Sequence, residues 1–208
     1  MMVNQKNINP FRLLMMALIT LGLAACGSLL DTGQDTEPDT IFDLEPFSSP
    51  GGGGDPATIF LGTPSHPAFL GTNKIVVKPG GQEIQFLAGA RWSDNAPALI
   101  SRYLMVSLES GGEFDVQMAR QTALPHQYRL LIDVRDFSAH IGSDGLPNAV
   151  VEFEVSLVKA KTLEVISSRN FSKNISAGEN SKTAIAAAFQ RGMDEIAGEL
   201  KDWLSASR

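Results

Sequence analysis

The run from Gln127 to Ala139 constrains the fold of this chain more than any other stretch. Apolar residues alternate in it with mostly polar ones, so that Tyr128, Leu130, Ile132 and Val134 fall on one side, and Arg129, Leu131, Asp133 and Arg135 on the other. A period of two is typical of a β-strand covered on one face. Val151 to Leu157 repeats the pattern after the turn Gly142–Gly145. The two runs therefore predict an antiparallel pair.

Four further short runs have strand character. They are Lys74–Lys78, Glu83–Ala90, Phe114–Met118 and Leu163–Ser172. The first two flank Pro79-Gly80-Gly81, which predicts a hairpin, and in the second we expect Ile84, Phe86, Ala88 and Ala90 to lie on one side of the strand.

Two segments have helical periodicity. The first begins after Ser93 or Asp94, either of which is a suitable N-cap, has Pro97 in its first turn, and extends to about Ser110. The second extends from Asn180 to Leu204. The order ββαββββα predicts an α/β fold of two layers, in which two main helices pack on one mixed, mostly antiparallel sheet.

The N-terminus has the pattern of a bacterial lipoprotein signal. Two basic residues, Lys6 and Arg12, precede an apolar core that ends at Leu23-Ala24-Ala25-Cys26. The core is shorter than the ~20 residues that span a bilayer. Small residues suit a signal peptidase, and the thiol of Cys26 suits lipid transfer. We interpret residues 1–25 as a signal peptide and Cys26 as the lipid attachment site, in preference to a transmembrane anchor with an incidental cysteine.

The composition of the chain disfavours some classes of function. Loss of the signal peptide changes the formal net charge from −6 to −8, which disfavours nucleic acid as a partner. Cys26 is the only cysteine, so we expect no disulfide. Gly27 follows it where an aspartate would signal inner-membrane retention, which predicts an outer-membrane location.

Residues 26–58 have the composition of a flexible tether, with Gly51–Gly54 and several prolines. Ile41–Leu44 interrupts it, either as an edge strand docked on the domain or as an exposed apolar patch in a linker, and we favour docking. Residues 59–72 are predicted to be loop. The folded domain is placed at residues 59–208.

The sequence contains no recognisable arrangement of catalytic residues. His66, His126 and His140 are far apart and are interpreted as exposed loop residues, so we expect no metal site and no cofactor. Asp133, Arg135 and Asp136 are interpreted as a solvated, mutually paired surface. Trp92, at a strand-to-helix junction, is interpreted as a core residue in preference to a ligand platform.

Three stretches resemble the ABC-type transport auxiliary lipoproteins. Arg91-Trp92-Ser93-Asp94-Asn95-Ala96-Pro97 is similar to the family's W-x-[DE]-x-x-P junction, and Tyr128–Phe137 resembles its central strand ending in Asp-Phe. Ile41–Leu44 is similar to its opening Y-D-L segment, with Phe in place of Tyr, so the resemblance begins near residue 41. The insertion at 51–54 departs from the pattern.

The resemblance implies a non-enzymatic periplasmic lipoprotein that acts with an ABC permease and ATPase and an MCE-domain protein in lipid transport between membranes. It also implies that self-association is possible. An envelope-assembly lipoprotein that docks other proteins remains the alternative. A periplasmic hydrolase is a third reading, disfavoured because no nucleophile–base pair can be named.

Overall fold

A computed structural model describes residues 38–48, 55–80, 82–118 and 125–208. In order, its strands are β1 (Thr40–Phe42), β2 (Ala57–Leu61), β3 (Lys74–Lys78), β4 (Gln85–Trp92), β5 (Phe114–Met118), β6 (Tyr128–Ile141), β7 (Pro147–Lys159) and β8 (Val165–Ser176). Its helices are α1 (Ala96–Glu109) and α2 (Lys182–Ser207), and a 3₁₀ turn spans Ala68–Leu70. The predicted α/β fold, with one mixed sheet and two main helices, is confirmed.

Strand β6 is the centre of the sheet. One of its edges pairs along its length with β7, which pairs in turn with β8, and both pairings are antiparallel. The other edge of β6 is divided between two groups of strands. Residues Tyr128–Leu130 pair with β2, and Ser138–His140 pair with β3, both in parallel. The two long antiparallel pairings supply most of the registered residue pairs, as the sequence predicts.

The divided edge creates two branches. The first, here called the β2–β5 branch, consists of β2 and β5, which pair in parallel. The second, here called the β1–β4–β3 branch, has β3 paired antiparallel with β4 and β4 paired parallel with β1. The prediction that residues 59–72 are loop is wrong at two places, because β2 and the 3₁₀ turn lie there. Residues Ala57 and Thr58, assigned to the tether, begin β2.

Alternation along β6 and β7 buries one face of the sheet against the helices. The inward residues Leu130, Val134, Val151, Phe153 and Val155 have no exposed surface. Burial of each such side chain contributes about 1.5–3 kcal/mol, so this layer is the main source of stability.

Helices α1 and α2 are joined by a buried polar contact. The Tyr103 hydroxyl donates a hydrogen bond of 2.5 Å to Asp194 Oδ1. Burial and the neighbouring Asp194 carboxylate both raise the pKa of Tyr103, which keeps the hydroxyl protonated as the donor. The N-cap of α1 is Asn95, whose side chain accepts from Ala98 N–H, so the prediction of Ser93 or Asp94 as cap is wrong.

Candidate functional site

The first described segment of the chain docks on the domain. Leu44 is 3% exposed, and β1 pairs with the end of β4. Asp43 accepts hydrogen bonds of 2.8 Å from Ser93 Oγ and from Arg102 Nη2. Burial raises the pKa of Asp43, but these hydrogen bonds, that of Leu44 N–H and the Arg102 charge outweigh it and hold the pKa below its usual value. The docking interpretation of Ile41–Leu44 is confirmed.

The residues after Leu44 contact both helices. Glu45 N–H donates to Gln190 Oε1 at 2.9 Å, and Gln190 Nε2 donates back to the Glu45 carbonyl at 2.7 Å. Phe47 N–H donates to Ser107 Oγ at 2.9 Å. Gln190 is on α2 and Ser107 on α1, so this segment is fixed to the two helices rather than free as part of a tether.

Residues 1–25 and Cys26 lie outside the described residues. Cys26 therefore remains a predicted lipid attachment site. Because Thr40 is the first residue of β1, only 13 residues separate it from Cys26. Within the predicted tether of residues 26–58, the chain is bound to the sheet from Thr40.

Asp136 is buried rather than on the solvated surface where the sequence places it. The register of β6 against β7 shifts between Val134 and Asp136, so Asp136 lies opposite Glu152 on the side of the sheet away from the helices, and it is buried there beside Lys78. The Asp136 side chain is 12% exposed and forms an ion pair of 2.7 Å with Lys78. It also accepts a hydrogen bond from Ser138 and contacts His140 Nε2 at 2.9 Å.

The rest of the predicted polar surface is observed. Arg135 lies 3.8 Å from Asp133 and also pairs with Glu154 on β7. All three side chains are 41–50% exposed. Exposed pairs of this kind contribute about 0–1 kcal/mol, so they are solvated surface rather than a site.

The Asp136, Ser138 and His140 side chains do not have the geometry of a catalytic triad. In a triad the acid and the nucleophile contact different nitrogens of the histidine ring. Here His140 Nε2 contacts both, at 2.9 Å to Asp136 Oδ2 and 3.1 Å to Ser138 Oγ. Ser138 has no exposed surface and gives its hydrogen bond to Asp136. The cluster is best explained as a polar network that compensates a buried carboxylate.

The three predicted loop histidines have different environments. His140 lies at the end of β6, the strand end where the sequence places it, and is therefore not a loop residue. His126 stacks on Phe60 with ring centroids 5.2 Å apart. His66 is exposed, and its Nδ1 lies 3.0 Å from the Pro67 carbonyl. In the described ranges, no group of three or more His, Cys, Asp or Glu side chains is placed to hold a metal ion.

A surface cavity of about 510 Å³ lies at the start of α1. Its wall includes the N-cap Asn95, Pro97 and Arg102 from α1, His66 from the loop after β2, and Met118 at the end of β5. Arg102 is already paired with Asp43. The cavity therefore presents a helix start and a neutralised arginine, which do not define a ligand class.

The interface between the helices and the sheet is filled. Trp92 is 1% exposed and contacts Phe137 and Phe189, with ring centroids 5.5 and 5.3 Å apart. The interpretation of Trp92 as core is confirmed. With this interface occupied by side chains, contacts with other molecules fall on the outer surfaces.

The outer surface of the β1–β4–β3 branch has large exposed apolar side chains. Ile41 is 55% exposed, Phe86 44% and Ile84 42%. The sequence predicts that Ile84, Phe86, Ala88 and Ala90 lie on one side of the strand, and this is wrong, because Ala90 is buried and Ile84 and Phe86 are exposed. Within β4, Gly89 has a φ of 65°, and residues 87–90 lie opposite a single residue of β3, so the alternation changes phase between Phe86 and Ala90. A sequence pattern alone does not reveal that shift.

This chain belongs to the family of the ABC-type transport auxiliary lipoprotein component. The family model matches residues 42–201, which is more than half of the chain. The chain is accordingly an accessory lipoprotein of ABC-type transport, and a lipoprotein family places it in the cell envelope. Its family is that of an auxiliary component and is not a known enzyme family.

Solved structures share the fold. A Xanthomonas campestris protein of the family DUF330 is 24% identical, with a TM-score of 0.71, over 79% of this chain and 94% of its own. An uncharacterized protein is 14% identical, with a TM-score of 0.65, over 81% and 99%. The hypothetical protein CT253 from Chlamydia trachomatis is 10% identical, with a TM-score of 0.50, over 73% and 99%. Among curated proteins, none matches the chain.

Proposed function

We propose that this protein is a non-enzymatic, lipid-anchored accessory of an MCE-type ABC system that moves lipid between membranes. The observation that carries the proposal is the family match over residues 42–201. In this role the chain holds the transport machinery through protein contacts at the periplasmic face of the outer membrane, and no step of chemistry is assigned to it.

Anchoring at Cys26 is the first part of the proposal. Its support is the sequence Leu23-Ala24-Ala25-Cys26 and the lack of any other cysteine. A single acyl chain binds a membrane reversibly, at about 0.8 kcal/mol per buried CH₂, whereas several chains hold permanently. Among the described residues, no helix is long and apolar enough to cross a membrane.

The outer-membrane location rests on Gly27, which replaces the aspartate of the inner-membrane retention signal. The test is separation of the inner and outer membranes followed by detection of the chain. Gly27→Asp is the matched variant, and we expect it to move the protein to the inner membrane. Recovery of the unaltered chain with the inner membrane alone would contradict this part of the proposal.

Action through protein contacts is supported by the filled interface between the helices and the sheet, represented by Trp92, Phe137 and Phe189. It is supported further by the Asp136 cluster, whose serine is inaccessible and whose histidine is not arranged as a triad base. A free strand edge is also available, because β8 pairs only with β7 among the described strands. Self-association is therefore part of the proposal, and the mass of the purified protein measured by light scattering tests it.

The decisive test of function is a crosslinked pull-down of the tagged full-length chain from its native membranes. We expect an MCE-domain protein together with an ABC permease or ATPase. Cys26→Ser is the control, and it should lose these partners along with the membrane. If the lipidated wild-type chain recovers only proteins of envelope assembly, the alternative role as a docking module replaces this one.

A further inference from the structure

The exposed apolar residues of the β1–β4–β3 branch share one face. In register, Ile41 pairs with Arg91, and Arg91 with Lys74. Phe86 pairs with Val76, which lies two residues after Lys74 on β3. Paired residues, and residues two apart on one strand, lie on the same face. Lys74 Nζ accordingly lies 5.1 Å from the centre of the Phe86 ring.

This face is the one turned away from the helices. Trp92 packs edge-on against Phe189 of α2, so Trp92 is on the helix side of the sheet. Its neighbour Arg91 is therefore on the opposite side, and Ile41 and Phe86 with it. We call this surface, formed by Ile41, Phe86, Lys74 and Arg91 with Ile84 at its margin, the outer face of the β1–β4–β3 branch.

The charges on the outer face are mixed, because Lys74 and Arg91 lie on it and the acidic residues Asp39 and Glu83 lie beside it. Arg91 lies 3.9 Å from Asp39, an exposed pair. Lys74 forms no ion pair with any described acidic residue, and its ammonium lies over Phe86. Glu83 is close in sequence, and its carboxylate accepts a hydrogen bond from Gln85. Apolar side chains bordered by lysine and arginine match the boundary between acyl chains and anionic headgroups.

The short distance in sequence between Cys26 and the outer face indicates which surface covers that face. β1 is the first described strand, and 13 residues separate it from Cys26. Even fully extended, this connection spans at most about 50 Å. Because β1 runs parallel to β4, the chain enters β1 from the end of the branch at which β4 begins, where Phe86 and the preceding Ile84 are exposed. The exposed apolar side chains and the point where the chain enters the domain are therefore on the same part of the branch.

We propose that the outer face of the β1–β4–β3 branch rests on the phospholipid surface of the membrane that holds the Cys26 lipid. Ile41, Ile84 and Phe86 enter the headgroup layer, while Lys74 and Arg91 face phosphate groups. The contact orients the domain, so that the helix side of the sheet is turned toward the periplasm. This inference rests on the proposed lipid anchor at Cys26.

The test uses the full-length lipidated chain carrying Phe86→Cys. Cys26 is the only native cysteine, so once it is acylated the new thiol is the single site for an environment-sensitive fluorophore. The labelled protein is reconstituted into vesicles of phosphatidylethanolamine and phosphatidylglycerol that contain lipid-borne spin-label quenchers. Leu131→Cys is the matched control, because Leu131 is 50% exposed on the same side of the sheet but lies on the half of β6 that pairs with the other branch.

We expect lipid-borne quenching at position 86 to exceed that at position 131 by about threefold or more, since interfacial contacts of this kind lie about 5–10 Å deep. The Tm of each variant must match the wild type, and Ile41→Cys replaces Phe86→Cys if it does not. Equal quenching at the two positions would overturn the inference.

A second copy of the chain or a protein partner on the outer face would each give a different result. Disulfide-linked dimers of the unlabelled Phe86→Cys variant, together with no lipid quenching of the labelled variant, would show that a second copy covers the face. Protection from an aqueous quencher without lipid quenching would show a protein partner. Either result overturns the inference while leaving the anchor in place. Mass spectrometry of the same sample separates the two proposals, because an unmodified Cys26 would overturn the anchor and the membrane contact together.

Discussion

The two branches that share one edge of β6 differ in how their outer faces are covered. On the β2–β5 branch, the Phe60 ring is stacked on His126, and the Arg129 guanidinium lies 5.4 Å from its centre. On the β1–β4–β3 branch, Phe86 lies under the Lys74 ammonium and is 44% exposed. One sheet therefore supports a closed surface and an open apolar surface side by side, and only the open one is next to the chain segment that leads to Cys26.

The largest loss of stability is expected from a substitution at the point where the β1–β4–β3 branch packs against the helices. Trp92→Ala removes the contacts with Phe137 and Phe189 and should lower the free energy of unfolding by about 3–5 kcal/mol. Chemical denaturation measures this loss. Trp203→Ala is the control, because Trp203 is only partly buried and meets Phe171 edge-on at 5.8 Å. Equal losses would show that Trp92 does not join the branch to the core.

A smaller loss is expected from the segment that leads into β1. Leu44→Ala creates a cavity under the docked segment and should cost about 2–3 kcal/mol, again by chemical denaturation. Ile41→Ala, at an exposed position of β1, should stay within about 0.5 kcal/mol of the wild type. If both changes are nearly neutral, the segment is not docked in solution.

The comparison of the two branches is tested directly by Phe60→Ala and Phe86→Ala. The first loses a stacked ring and a cation–π contact and should cost about 1–2 kcal/mol. The second loses one exposed cation–π contact, which is about 0.5 kcal/mol. The unfolding free energies of the two variants, measured without lipid, check this order. A larger cost for Phe86→Ala would mean that the open face is covered within the chain.

The smallest expected effect is the pH dependence of the contribution that Asp43 makes to stability. Its folded pKa lies below the usual value of 3.8, so its contribution is fully present above that pH and is lost as the pH falls through the folded pKa. The Tm of the wild type should therefore approach that of Asp43→Asn as the pH is lowered below 3.8. Arg102→Gln should reduce the difference at neutral pH. A constant difference across the acid range would contradict the role of Asp43.

Periodicity was enough to predict the elements that carry the core. The alternation in Tyr128–Val134 and Val151–Leu157, and the helical stripe from Ile185 to Leu200, correspond to buried faces. Periodicity does not predict β2, because the five residues between Pro56 and Gly62 include Phe60 on the outer side and do not alternate clearly.

Irregularities in pairing determine the faces of two residues that an unbroken alternation would put on the helix side. The shift between Val134 and Asp136 pairs Asp136 with the outward Glu152, and the shift in β4 near Gly89 exposes Phe86. Both arise from partner strands that are distant in sequence. The Asp136 cluster and the open face therefore became visible only with the register of β3 against β4 and β6.

We propose that lipid on Cys26 holds the chain in the envelope, and β1 begins after 13 further residues. Intact-mass and peptide mass spectrometry of the protein purified from native membranes is the test. We expect a mature N-terminus at Cys26 that carries acyl chains, and no peptide from residues 1–25. A chain that retains residues 1–25, or whose Cys26 is unmodified, would contradict it.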